Sequence, residues 1–173
     1  MDNQRVAIFI DGSNLYHNLK RFNIKTKFEE IIKRVETRRK VVDIFYYTAL
    51  LDKSMNEERY NEHKRFLDKI KKIPNFHVVL CNLRKVFLPD GSVDFAIKGD
   101  DVYLATDLIK GSYEDLYDIA IIISGDADFI PAINLVRKNG KKVINAFFPK
   151  SSSYLLRNCC DGSINFKKAL NKK

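Results

Sequence analysis

No apolar stretch in this 173-residue chain approaches the roughly 20 residues that a membrane-spanning helix needs. The amino end does not read as a secretion signal either: Met1-Asp2-Asn3-Gln4-Arg5 runs straight into an apolar segment with the look of a strand. Cysteine is scarce, with only Cys81, Cys159 and Cys160. The count is odd, and the adjacent pair is poorly placed for an ordinary disulfide. His17, His63 and His77 have no zinc-type spacing with these thiols. Together these shortages predict a soluble, cytoplasmic protein whose thiols are buried or inert. The turn after the first apolar run lacks G-x-G-x-x-G and the chain has no P-loop, which excludes the common nucleotide-binding fingerprints. No internal repeat or linker interrupts the sequence. One domain over residues 1–173 is expected, with a core over about 5–150 and a C-terminal helix and basic tail over 151–173.

Positive charge is abundant. The formal net charge is +9 and the pI about 9.4. Such a balance favours a polyanionic partner, although many small soluble proteins are basic without one. The apolar fraction of 45% is that of a globular protein and not of a disordered one.

Apolar runs alternate with helical patterns. Strands are expected at Val6–Ile10, Val41–Leu51, Phe76–Cys81, Ile119–Ile123 and Lys142–Phe148. Helices are expected at Asn14–Phe22, around Phe28–Val35, at Glu57–Ile73, Gly99–Lys110, Phe129–Lys138 and Ser152–Arg157. Phe166–Lys173 reads as a basic tail. Arg84–Leu88 and Ser92–Ile97 flank the turn signal Pro89-Asp90-Gly91 and predict an inserted β-hairpin. Right-handed crossovers then give an α/β fold: a three-layer α/β/α sandwich around a mostly parallel central sheet.

Two acidic clusters oppose the overall charge. Asp11 follows Val6-Ala7-Ile8-Phe9-Ile10, and Ser124-Gly125-Asp126-Ala127-Asp128 follows Ile119-Ala120-Ile121-Ile122-Ile123. Both runs read as strands buried on both faces. Ligands of open parallel sheets bind beyond the carboxyl ends of strands. Carboxylates gathered there repel one another, and a divalent cation that prefers oxygen ligands is the simplest remedy. On the helix after Ile97, at 100° per residue, Val102, Leu104, Ala105, Leu108 and Ile109 share one apolar arc into which Asp101 falls. Asp101 sits in the first turn, where it can reach the rim of the strand ends. Helix capping or dipole compensation remains open for Asp11, Asp100, Asp101, Asp126 and Asp128, and a solvated face for Asp107.

Three blocks in order resemble the NYN domain family of the PIN-like nuclease superfamily, near its LabA/DUF88 group. They are Ile8-Phe9-Ile10-Asp11-Gly12-Ser13-Asn14, Lys98-Gly99-Asp100-Asp101-Val102-Tyr103-Leu104-Ala105-Thr106-Asp107, and Ser124-Gly125-Asp126-Ala127-Asp128-Phe129 with Pro131 and Gly140-Lys141-Lys142-Val143. The resemblance implies a PIN-like sandwich, a Mg²⁺ or Mn²⁺ site and ribonuclease activity. By position it implies metal ligation by Asp11, Asp101, Asp126 and Asp128, with Asp107 as a further recurring acid. Asn14 and Ser124 would orient a ligand or touch the phosphate, and Lys98 would steady negative charge on the substrate.

Tyr16 could stack on a base or pack into the core. Lys20, Arg21, Lys64, Arg65, Lys69, Lys71, Lys72, Arg84 and Lys85 are candidates for phosphate contact or plain solvated charges. The expected partner is single-stranded RNA, with no membrane, and the hairpin offers an arm for a homodimer. The competing reading is an RNA-binding or assembly module whose acidic pit is vestigial. A receiver domain fits poorly, because neither Asp43 nor Asp52 sits as a phospho-acceptor should. An aspartyl-phosphate phosphatase would need a second acid in Asp11-Gly12-Ser13.

Overall fold

The computed structural model describes residues 4–35, 39–54 and 56–170. Among the described residues, eight strands and seven helices follow one another. In chain order they are β1 (Arg5–Asp11), α1 (Gly12–Arg21), α2 (Phe28–Val35), β2 (Lys40–Thr48), α3 (Glu57–Ile70), β3 (Phe76–Leu80), β4 (Asn82–Phe87), β5 (Val93–Lys98) and α4 (Asp100–Tyr113). Then come β6 (Ile119–Ile123), a 3₁₀ turn (Ala127–Phe129), α5 (Ile130–Lys138), β7 (Lys142–Phe147), α6 (Tyr154–Cys159), β8 (Gly162–Asn165) and α7 (Phe166–Leu170).

Six strands form a wholly parallel sheet in the order β3-β2-β1-β6-β7-β8, and β4 pairs with β5 as a separate antiparallel hairpin. Strand order reverses between β1 and β6, so a crevice opens at their carboxyl ends. Val6 through Ile10 and Ile119 through Ile123 are fully or almost fully buried, as strands covered on both faces must be. Val6, Ile8 and Ile10 pack with Leu15 of α1, Ile31 and Val35 of α2, Leu67 and Ile70 of α3, and Phe166 of α7. Ala7 and Phe9 face the opposite layer, with Leu104 and Leu108 of α4, Ile133 and Val136 of α5 and Leu156 of α6. The alternation along one strand thus creates the three layers.

Several expectations need correction. A sixth strand, β8, completes the sheet. Gly162-Ser163-Ile164-Asn165 has one strongly apolar residue, and as an edge strand it needs no more. β2 stops at Thr48, because its neighbours stop there: Asp11 pairs with Tyr47 and Leu80 with Thr48. α3 ends at Ile70, three residues early, and Ser153 caps α6 instead of Ser152 lying within it. Residues 166–170 of the expected tail are helical, and 171–173 lie outside the described residues. The apolar arc of α4 is also narrower than expected. Leu104 and Leu108 are buried and Ala105 and Ile109 pack against the same core, while Val102 is 69% exposed.

Two local features position the strand ends. At the amino ends, Arg5 donates to Asp118 Oδ2 from its backbone nitrogen at 2.7 Å and to Asp118 Oδ1 from Nη2 at 2.8 Å. The Arg5 guanidinium and backbone N–H hold the Asp118 carboxyl down to about 2. At the carboxyl ends, Gly125 leaves no room for a side chain. A Cβ there would lie 2.0 Å from the carbonyl oxygen of Ser151.

Gly125→Ala is therefore expected to destabilise the fold by about 1–3 kcal/mol, measured by urea unfolding, because the obstacle is backbone. Asp118→Asn should remove about 1 kcal/mol at pH 7, allowing for the partial exposure of the pair. The folded value of Asp118 lies below the ordinary carboxylate value near 3.9. Its stabilisation is thus complete above that value and fades as pH falls toward about 2. Thermal melts across that window should be flatter for Asp118→Asn than for the native chain.

Candidate functional site

Ile10 pairs with Ile123, so Asp11 and Ser124 leave the sheet side by side. Asp11 is only 8% exposed. A carboxylate buried this far requires hydrogen bonds, and it has one on each oxygen. Oδ1 accepts from the backbone nitrogen of Asn14 at 2.9 Å, capping α1, and Oδ2 accepts from Ser124 Oγ at 2.9 Å. The Ser124 hydroxyl in turn accepts from the backbone nitrogen of Asp126 at 3.2 Å. Asp126 Oδ1 accepts from the backbone nitrogen of Asp128 at 2.9 Å and caps the 3₁₀ turn. One chain of hydrogen bonds therefore links three acids through a serine.

The capping roles open for Asp11 and Asp126 are thus real. Ser124 is 1% exposed and its hydroxyl is engaged on both sides. It orients acids and does not present itself to a substrate.

α4 brings the remaining acids to the same crevice. Gly99, at φ 89°, turns the chain from β5 into the helix, and Asp100 and Asp101 open its first turn. The Asp101 carboxyl is pushed up to about 6, first by partial burial and then by the negative charge of Asp100, Asp11, Asp126 and Asp128. Because Asp101 remains open to solvent, crowding by like charges carries more of the meaning than burial. Asp11 is likewise raised, first by burial and also by Asp100 and Asp126, against the lowering bonds from Asn14 and Ser124. Five carboxylates therefore share one field.

Among the described residues, however, no three His, Cys, Asp or Glu side chains are gathered closely enough to hold one ion directly. The donor set is all carboxylate, which suits a hard divalent cation. Mg²⁺ keeps several of its waters and is commonly bound through only one or two carboxylates.

Other expected residues fall at varying distance from this crevice. Asp107 receives a hydrogen bond from the Tyr47 hydroxyl at 2.9 Å and is not among the leading charges acting on Asp11 or Asp101. The Asn14 side chain accepts from Asn18 Nδ2 at 3.0 Å, so it is tied along α1. Lys98 is exposed at the end of β5, next to Gly99. Tyr16 stands on the outside of α1, 60% exposed, and is no part of the core.

Three residues escaped the sequence reading. Asn18 is buried and accepts from Ser151 Oγ, so the loop after β7 is fastened to α1. Asn145 is fully buried on β7 and donates to the carbonyls of Ile122 at 3.2 Å and Ser124 at 2.9 Å, holding the acidic loop from beneath. Among the described residues its Oδ1 is one of two buried side-chain atoms without a partner. A polar residue inside the apolar run Val143-Ile144-Asn145-Ala146 was the available signal.

Comparison with known proteins adds identity to this geometry. The NYN domain profile matches residues 5–167. A solved structure of a protein of unknown function from Vibrio parahaemolyticus superimposes with a TM-score of 0.71 at 23% identity, covering 98% of this chain and 97% of that one. That likeness speaks for the fold alone. No curated protein matches the chain significantly. Among the described residues, no helix is long and apolar enough to cross a membrane. The profile match spans nearly the whole sequence, and the chain belongs to the NYN domain family, within the PIN-like nuclease superfamily.

Proposed function

We propose that this NYN domain is a ribonuclease that hydrolyses phosphodiester bonds of single-stranded RNA in the cytoplasm, cutting internally and aided by Mg²⁺ or Mn²⁺. The single observation that carries the reading is the mutual repulsion of Asp11, Asp100, Asp101, Asp126 and Asp128 at the β1/β6 crevice. Burial first, and then neighbouring negative charge, raises the carboxyls of Asp11 and Asp101, and perturbed acids gathered in a crevice are typical of working sites. Within the family the motif blocks lie nearest the LabA/DUF88 group.

The residues divide the work. Asp11, Asp126 and Asp101 would hold a hydrated cation, one or two of them directly and the rest through its waters, with Asp128 adding negative potential at the rim. When bound, the cation lowers the pKa of a coordinated water and stabilises charge on the phosphate. Ser124 fixes the direction of Asp11 and the backbone of Asp126. The Asn14 amide group locks the other Asp11 oxygen from its backbone side. Lys98 would balance charge on the phosphate oxygens. A second reading, an RNA-binding module with little turnover, draws on the lack, among the described residues, of three acids grouped closely enough to hold one ion directly.

Cleavage of an unstructured RNA by the purified protein with Mn²⁺ separates the two. Asp101→Asn is the informative variant, because Asp101 is exposed and its substitution does not disturb the core. We expect it to lower kcat at least a hundredfold. Equal cleavage by variant and native protein would mark a contaminant and favour the second reading. Thermal melts supply a readout without turnover. Removing one of several repelling charges should stabilise the metal-free Asp101→Asn protein by about 0.5–1 kcal/mol. It should also shrink the rise in Tm that Mn²⁺ gives the native chain.

A further inference from the structure

Along the outer side of α1, which begins at the acidic crevice, lies an open hollow of about 240 Å³. Tyr16, Leu19, Lys20, Asn23, Ile24 and Lys25 line it. The lining offers one aromatic ring, two aliphatic side chains, a carboxamide and two ammonium groups, with no carboxylate. Tyr16 leaves 60% of its surface in water, with its ring against the edge of His17 at 5.5 Å. An aromatic residue that buries so little contributes little to the core. The lysines that pair with carboxylates among the described residues are Lys53, Lys110 and Lys141. Lys20 and Lys25 are not among them.

The far wall is built in advance. Ile24 donates its backbone N–H to the Leu19 carbonyl at 2.9 Å and Asn23 donates to Lys20 at 3.1 Å, with Asn23 at φ 50°. This is a Schellman closure of α1, with asparagine in the left-handed position. It fixes Asn23, Ile24 and Lys25 before a ligand arrives, so little ordering entropy is lost on binding.

The volume is below the range of about 300–1,000 Å³ that houses whole drug-sized ligands. It suits one flat heterocycle, with its phosphates left outside. A ring and two aliphatic walls sandwich a base, an asparagine carboxamide can pair with a base edge, and lysines meet the flanking phosphates. Cations alone would accept any polyanion; the ring and the amide add selectivity for a base. Tyr16 is also only about 7.5 Å of helix rise beyond Asp11. One single strand can therefore occupy hollow and crevice together.

We infer that this hollow is a nucleobase subsite, seating a base of single-stranded nucleic acid beside the bond to be cut. It deepens the ribonuclease reading and rests on that reading for its relation to a scissile bond. The test is fluorescence anisotropy of a labelled uridine 12-mer in EDTA, with native, Tyr16→Ala, Tyr16→Phe and Lys20→Gln proteins. An abasic oligonucleotide of equal length is the control.

Tyr16→Ala should weaken binding of the uridine strand about tenfold, as loss of one base stack does. Tyr16→Phe should restore it. Lys20→Gln should reduce the slope of log affinity against log salt by about 0.7, one phosphate contact on a single strand. The abasic strand should not distinguish Tyr16→Ala from the native protein. Native-like binding by Tyr16→Ala, or equal loss with the abasic strand, would overturn the subsite. The nuclease reading fails separately: if native protein leaves RNA intact with Mn²⁺ while the Tyr16 dependence persists, the subsite stands and the cleavage assignment falls.

Discussion

The hydrogen bond from Ser124 Oγ to Asp11 Oδ2, 2.9 Å long and buried, joins the ends of the two central strands. Everything at the crevice depends on it. Without it, Asp11 would keep a single partner in a nearly dry environment, and burial would raise its carboxyl further. With it, Asp11 stays an oriented acceptor and the Asp126 backbone is drawn in through the same hydroxyl. The serine therefore sets the direction of acids contributed by two strands 113 residues apart in sequence.

The sheet makes this meeting unavoidable. β1 is central, with β2 on one side and β6 on the other, and strand order reverses between β1 and β6. The loops leaving them must diverge to opposite layers, α1 to one and α5 to the other, and the crevice is what they leave behind. α4 reaches the same place from the hairpin, and its first turn overhangs the strand ends with Asp100 and Asp101. From beneath, Asn145 grips the carbonyls of Ile122 and Ser124. From the side, Ser151 fills the space that Gly125 leaves open and bonds to Asn18. The frame is rigid and the acids on it repel one another. That combination is ill-suited to stability and well-suited to binding a cation.

Much of this was legible in the amino-acid sequence, for identifiable reasons. Continuous apolar runs such as Ile119–Ile123 can only be strands covered on both faces, and acids directly after them can only stand at the carboxyl edge. The position of Asp101 followed from helical geometry and the first-turn rule. The exposure of Val102 did not, because an apolar residue in the first turn of a helix reads as part of the packed stripe from sequence alone. β8 was hidden because an edge strand of four residues carries almost no periodic signal. Side-chain pairs such as Tyr47 with Asp107 and Asn18 with Ser151 join residues 60 and 133 positions apart, and no local pattern encodes them.

A divalent cation at the β1/β6 crevice is the central claim, and diffraction from crystals soaked in Mn²⁺ tests it most directly. Anomalous difference density should appear between Asp11, Asp126 and Asp101, with part of the coordination completed by water. A saturating soak that leaves the crevice free of density, or that loads Mn²⁺ only onto remote surface carboxylates, would contradict it.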